Sequence, residues 1–217
     1  MNTKVIFIRH GEARGNVERR FHGHFDSALT DNGRRQIMLL AKRLENEPID
    51  VIYSSDLQRA IDTAREVAKL KHLDINIDPN LREIFGGDWE DVPWDDLPVN
   101  FSESYEHWLT EPHLLKMPGG ESMLEFQMRV KMAVRGIIEK NRGENILIAT
   151  HGTVIKVLVC GYLGMELSEM PSMKWYDNAS VTIVDVDDEG KYNVVLEGDN
   201  SHLGEYSTLE KQTWWRE

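Results

Sequence analysis

Val5-Ile6-Phe7-Ile8-Arg9-His10-Gly11-Glu12 decides the fold: an unbroken apolar run ends on a cation and an imidazole. A strand buried on both faces needs such a run, whereas a half-exposed strand alternates apolar and polar residues. The pattern returns at Ile146-Leu147-Ile148-Ala149-Thr150-His151-Gly152, again closed by a histidine. In open parallel sheets, reacting groups collect beyond the carboxyl ends of the strands, so these two histidines are expected to meet although most of the chain separates them.

Between the two runs, helical and extended patterns take turns. Thr30 is placed to cap a helix whose stripe is Ile37, Leu40, Ala41 and Leu44, with Pro48 marking its end. Asp50-Val51-Ile52-Tyr53-Ser54 reads as a short buried strand. Ser55 or Asp56 then caps a helix that turns Ala60, Ile61, Ala64, Val67 and Ala68 inward. Residues 73–77 alternate as a strand, and Leu81-Arg82-Glu83-Ile84 follows its carboxyl end.

Residues 121–140 regain helical period, with Leu124, Val130, Ala133, Val134, Ile137 and Ile138 on one side, and 154–163 make a further helix. Residues 181–186, a turn at Asp187-Asp188-Glu189-Gly190 and residues 192–196 read as a hairpin forming an antiparallel edge. The expectation is an α/β fold: a three-layer α/β/α sandwich on a mostly parallel sheet, one domain over 1–217. Residues 86–120, rich in tryptophan and acids, read as an irregular insertion of the kind that acts as a lid.

With 217 residues, 41% of them apolar, the chain can bury a sizeable core. A formal charge of −12 argues against nucleic acid and anionic membranes as partners, so any anion must be held by a local cluster of cations. Cys160 is the only cysteine and sits in an apolar stretch; an intrachain disulfide is excluded and burial is expected. The amino terminus shows no signal-peptide pattern and no window approaches the length of a membrane span, which points to a soluble cytoplasmic protein.

Arg9, His10, Arg59, Glu83 and His151 each fall at the carboxyl end of an expected strand or in the first turns of the helix after it. Two imidazoles, two permanent cations and one carboxyl are what phosphoryl transfer requires, because the transferring group carries charge on its equatorial oxygens. His10 is read as the nucleophile, His151 as a protonated donor to a non-bridging oxygen, and Glu83 as the acid that protonates the departing alkoxide.

These residues lie in blocks that resemble the histidine phosphatase superfamily, in its phosphoglycerate-mutase-like branch. The blocks are Arg9-His10-Gly11-Glu12 with Asn16; Leu29-Thr30-Asp31-Asn32-Gly33; Ser54-Ser55-Asp56-Leu57-Gln58-Arg59-Ala60 with Thr63-Ala64; Leu81-Arg82-Glu83-Ile84-Phe85-Gly86 with Trp89-Glu90; and Thr150-His151-Gly152. The resemblance implies a phosphohistidine at His10 and phosphate contacts from Arg9, Asn16, Arg59 and His151. It also implies Glu83 as proton donor, substrate contacts around His22 and Gly23, and neither metal nor other cofactor. Ala13 departs from the Ser or Thr of many relatives, and His22 from their Thr or Gln.

The expected substrate is a small phosphomonoester and the expected activity a phosphatase; a cofactor-dependent mutase and a silent phospho-ligand binding module are the alternatives. Mutases of the family grip substrate with a basic patch in the insertion, where this chain has Lys116 alone among many acids. Unpaired carboxylates along the cleft would repel a doubly anionic ligand, which favours water as acceptor and a neutral leaving group. Arg14, Arg19 and Arg20 read as solvated loop charges, one of which can reach the rim, and Arg82 as paired with a neighbouring acid. His22-x-His24 lacks the further ligands of a metal site. Trp214-Trp215 either folds back on the body or makes a subunit contact, which leaves a homodimer open.

Overall fold

A computed structural model describes residues 2–211; Trp214-Trp215 lie outside them. The elements run β1 (Thr3–Arg9), α1 (Arg14–Glu18), α2 (Asp31–Arg43), β2 (Val51–Ser54), α3 (Gln58–Lys71), β3 (Ile75–Ile77), α4 (Leu97–Asn100) and α5 (Ser102–Thr110). They continue with α6 (Met123–Lys140), β4 (Asn145–Thr150), α7 (Gly152–Tyr162), β5 (Val181–Val186), β6 (Tyr192–Asp199) and α8 (Thr208–Lys211). The strand order is β3-β2-β4-β1-β5-β6. β3, β2, β4 and β1 are parallel, and the β5–β6 hairpin closes one edge antiparallel. This is the expected mixed sheet with its antiparallel edge.

Why the apolar runs do not alternate is visible in the core. Val5, Phe7, Ile146 and Ile148 face one layer with Val130 and Val134 of α6 and Val154 and Leu158 of α7. Ile6, Ile8, Leu147 and Ala149 face the other, with Leu40 of α2 and Ala64 and Val67 of α3. Both faces are covered, so both parities must be apolar. The register then fixes the site: Arg9 lies opposite Thr150, so His10 and His151 leave adjacent strands at the same level. Ser54 is level with Ala149, which brings Ser55 to the same edge.

Thr30 caps α2, accepting from the amide of Gly33, and α2 stops at Arg43 ahead of Pro48. Neither Ser55 nor Asp56 caps α3, contrary to expectation. Leu57 holds the cap position, the amide of Gln58 is bound by Asp26 from the loop after β1, and Asp56 is drawn away by Arg82. α6 begins under a capping box of Ser122 and Glu125, and Leu124 is exposed instead of buried. Met123 and Phe126 fill the stripe in its place, three and four residues apart in line with Val130, Val134 and Ile137.

Segment 86–120 is held by aromatic packing. Trp89 is fully buried, meets Phe21 edge-on at 5.4 Å, and is ringed by Trp94, Phe101, Tyr105 and Trp108. Its first part is also tied to the loop after β1: Phe21 donates to Val92, Asp91 to Phe21 and Trp94 to Arg19 through their backbones. Trp89→Ala is expected to lower unfolding free energy by about 3–5 kcal/mol in urea titrations. Trp89→Phe should cost much less, since the indole N–H it removes is buried and has no hydrogen-bond partner among the described residues.

Candidate active site

His10 and His151 stand with ring centroids 5.3 Å apart at the carboxyl edge of β1 and β4. Both are buried. His10 Nδ1 lies 2.8 Å from the carbonyl oxygen of Gly11. Donating there, it leaves Nε2 as the ring's lone-pair nitrogen. Burial, with Arg59 and Arg9 beside it, holds His10 well below the usual imidazole range, so the ring is neutral at pH 7.

His151 was read as a protonated donor to a non-bridging phosphate oxygen. Burial and the charges of Arg59 and Arg9 hold its ring well below the usual imidazole range. Its Nε2 lies 2.9 Å from Ser55 Oγ, and its buried Nδ1 has no hydrogen-bond partner among the described residues. An anion between these cations and the ring would reverse the balance and favour the imidazolium.

Two guanidiniums complete the positive side. Arg59, at 1% exposure, donates from Nη2 to the carbonyl of Gly23 at 2.7 Å and from Nη1 to that of Phe25 at 2.8 Å. Gly23 thus faces the cleft and also acts through Arg59. It adopts φ +46°, and a Cβ there would fall 2.1 Å from Glu90 Oε1. Glu90 in turn accepts from the amides of His24, Phe25 and Gly86, clamping the loop that carries Arg59's partners. Arg9 donates to the carbonyl of Tyr176, and Asp177 and Glu83 offset the cost of burying its charge.

Glu83 is buried, and burial pushes its carboxyl above the ordinary range. The amides of Thr153, at 3.0 Å, and Ile84, at 2.9 Å, pull the other way. The start of α7 therefore spends the Thr153 amide on Glu83. Asn16 and His22 line the same cleft, which encloses about 380 Å³. Asn16 Oδ1 accepts from the Ala13 amide at 2.9 Å. His22 lies 3.1 Å from Ser27 Oγ, while His24 turns away to the carbonyl of Glu83, so the two do not converge on one point.

All eight site residues read from the sequence therefore line or flank one cleft. Ser55, Asp177 and Asn178 were missed. Asn178 donates to the carbonyl of His10, and β5 runs antiparallel to β1, so residues just before β5 must arrive beside the end of β1. That topological signal was available once the hairpin was placed. The acids of segment 86–120 do not stand unpaired along the cleft as expected: Asp91 binds Arg20, Asp95 binds Arg19, and only Asp95 among them lines the cleft. Arg19 and Arg20 reach the rim, whereas Arg14 pairs with Glu18 on the surface. Arg82 is paired with Asp56.

Sheet-edge imidazoles beside buried guanidiniums and a raised carboxyl define an enzyme that handles phosphate esters. The chain belongs to the histidine phosphatase superfamily, branch 1, whose sequence pattern matches residues 5–199. It is 32% identical over 205 residues to phosphoserine phosphatase 1 of Hydrogenobacter thermophilus, covering 94% of this chain and 96% of that one. It is 31% identical to a metal-independent phosphoserine phosphatase of Arabidopsis thaliana, over 96% of this chain and 87% of the relative. Among solved structures, Bacillus stearothermophilus YhfR superposes with a TM-score of 0.89 at 39% identity, over 93% of this chain and 99% of that one. The chain is a phosphatase of this superfamily.

Burial lowers His22 to about 3, and His10 and His151 are also depressed. The unfolded chain takes up these protons near pH 6.5, so stability present above that pH is lost as the pH falls towards the folded values. Urea titrations across pH 7 to 4.5 should show that decline, with a shallower slope in His22→Gln.

Proposed function

We propose that the chain is a metal-independent phosphatase that hydrolyses a small organic phosphomonoester through a phosphohistidine at His10. The observation that carries this reading is the hydrogen bond from His10 Nδ1 to Gly11, which leaves Nε2 unprotonated in a cleft lined by Arg9 and Arg59, with the His151 ring beside it. Nε2 attacks phosphorus, the ester P–O bond breaks, and Glu83 gives its proton to the leaving oxygen. Glu83, now a carboxylate, takes a proton from water as the oxygen attacks phosphorus; the P–N bond breaks and inorganic phosphate forms.

Arg9, Arg59 and a His151 that takes up a proton from solvent as the dianion binds supply the positive charge that the equatorial oxygens need. With that set in place the chemistry calls for no metal, in line with the name of the Arabidopsis relative. Buried Arg59 Nε and His151 Nδ1 both lack partners among the described residues, and an anion's oxygens suit them. Water is the acceptor because segment 86–120 brings no cation to the cleft: Lys116 is held by Glu125. The free thiol of Cys160 suits a reducing compartment such as the cytoplasm.

His10→Ala should abolish turnover and the acid-labile phosphoenzyme, read by rapid acid quench and intact mass. Glu83→Gln should slow alkyl phosphates at least about 100-fold while sparing aryl phosphates, whose leaving groups need no proton. Equal losses on both esters would remove Glu83 from the acid role. Chelator should leave turnover unchanged, and its loss with rescue by a divalent ion would refute metal independence.

A further inference from the structure

His151 acts as a hydrogen donor to phosphate, yet an imidazole does not by itself decide which of its nitrogens carries the hydrogen; the partner of the other nitrogen does. That partner is Ser55. It is fully buried, and its Oγ lies 2.9 Å from His151 Nε2. The same oxygen accepts from the Leu57 amide at 3.3 Å, and among the described residues no acceptor other than Nε2 bonds its hydrogen. The hydroxyl therefore donates to Nε2, which must offer its lone pair.

Burial and Arg59 depress the basicity of the ring, so without an anion it holds a single hydrogen. With Nε2 taken by Ser55, that hydrogen is on Nδ1, the buried nitrogen without a partner among the described residues. His10 also carries its hydrogen on Nδ1 but spends it on Gly11, keeping the Nε2 lone pair. Two rings 5.3 Å apart thus offer one lone pair and one N–H. We propose that Ser55 is a positioning residue for phosphoryl transfer, one that fixes His151 as the Nδ1–H tautomer so that the ring meets the phosphoryl oxygens with a hydrogen and not a lone pair; the proposal rests on the phosphatase reading above.

The other tautomer would set a lone pair against a dianion, and the ring would have to exchange its hydrogen before it could help. A hydroxyl also suits the liganded state. When the dianion favours a second proton on the ring, Nδ1 is already occupied, so the proton goes to Nε2 and the Ser55 oxygen accepts where it had donated. The sheet keeps the two groups level. The Ser55 amide donates to the carbonyl of Ala149 at 3.0 Å, two residues before His151, so the pairing of β2 with β4 sets the hydroxyl beside the ring.

Nitrogen chemical shifts and long-range proton–nitrogen couplings of the full-length protein, labelled in histidine, read the tautomer directly, and His151→Gln identifies the signals. Without phosphate, His151 should carry its hydrogen on Nδ1; inorganic phosphate should shift that hydrogen downfield and add a proton at Nε2. Ser55→Ala should move the hydrogen to Nε2 or leave both forms populated, and lower kcat/KM about tenfold, the factor of one lost hydrogen bond. Ser55→Thr keeps the hydroxyl, so the Nδ1–H form and most of the rate should return. An Nε2–H ring in the unsubstituted protein, or an Nδ1–H ring unchanged in Ser55→Ala, would overturn the proposal, because a merely structural serine would change the rate without moving the tautomer. Failure of the phosphatase reading would show separately, as no phosphoenzyme and no response of the His151 nitrogens to phosphate, while the tautomer of the free protein still decides for or against Ser55.

Discussion

Parallel pairing of β1 with β4, in the register that sets Arg9 opposite Thr150, is the constraint on which the site depends. Side-chain direction alternates with every residue along a strand, so a slip of one position would turn Val5 and Phe7 into the wrong layer and carry His10 out of level with His151. The cost is prohibitive because both layers are apolar: Phe7 packs among the residues of α6 and α7, and Ile6 and Ile8 against α2 and α3. Ordinary hydrophobic burial thus enforces the distance between two catalytic-type rings. The core does the positioning, and the loops inherit it.

Electrostatics then works against folding at that edge. Arg9, Arg59, His10 and His151 are all buried within one small volume. The fold answers in two ways. Carbonyl oxygens of Tyr176, Gly23 and Phe25 accept from the guanidiniums, and carboxylates of Asp177, Asp26 and Glu83 lie near enough to offset their charge. The imidazoles, meanwhile, stay neutral. A site arranged so is short of negative charge and tuned to receive it, and stability is spent to keep it in that condition.

Much of this was legible in the residues. Unbroken apolar runs ending in histidine announced a doubly covered parallel sheet, and the rule that reacting groups gather at carboxyl ends located Arg59 and Glu83 as well. What stayed hidden depends on contacts distant in sequence. Asp26 replaces the expected local cap of α3, and Asp56 is diverted by Arg82; no window around Ser55 contains either fact. The acidic content of segment 86–120 was plain, but not that Arg19 and Arg20 would answer Asp95 and Asp91. The depressed basicity of the His151 ring was hidden for a similar reason, since it is set by burial and by neighbours gathered from three strands' ends.

The short ladder that joins Arg19 and Phe21 to residues 91–94 limits how this enzyme can diversify. An inserted or deleted residue between Gly86 and Asp95 would displace Phe21, and with it His22 and Gly23, so the phosphoryl end would be disturbed by any change of length there. Beyond Leu97 no such coupling to the loop after β1 exists among the described backbone bonds. Modularity in this architecture accordingly begins at α4: that stretch is where a lineage can exchange one clientele of substrates for another while leaving the inherited chemistry intact.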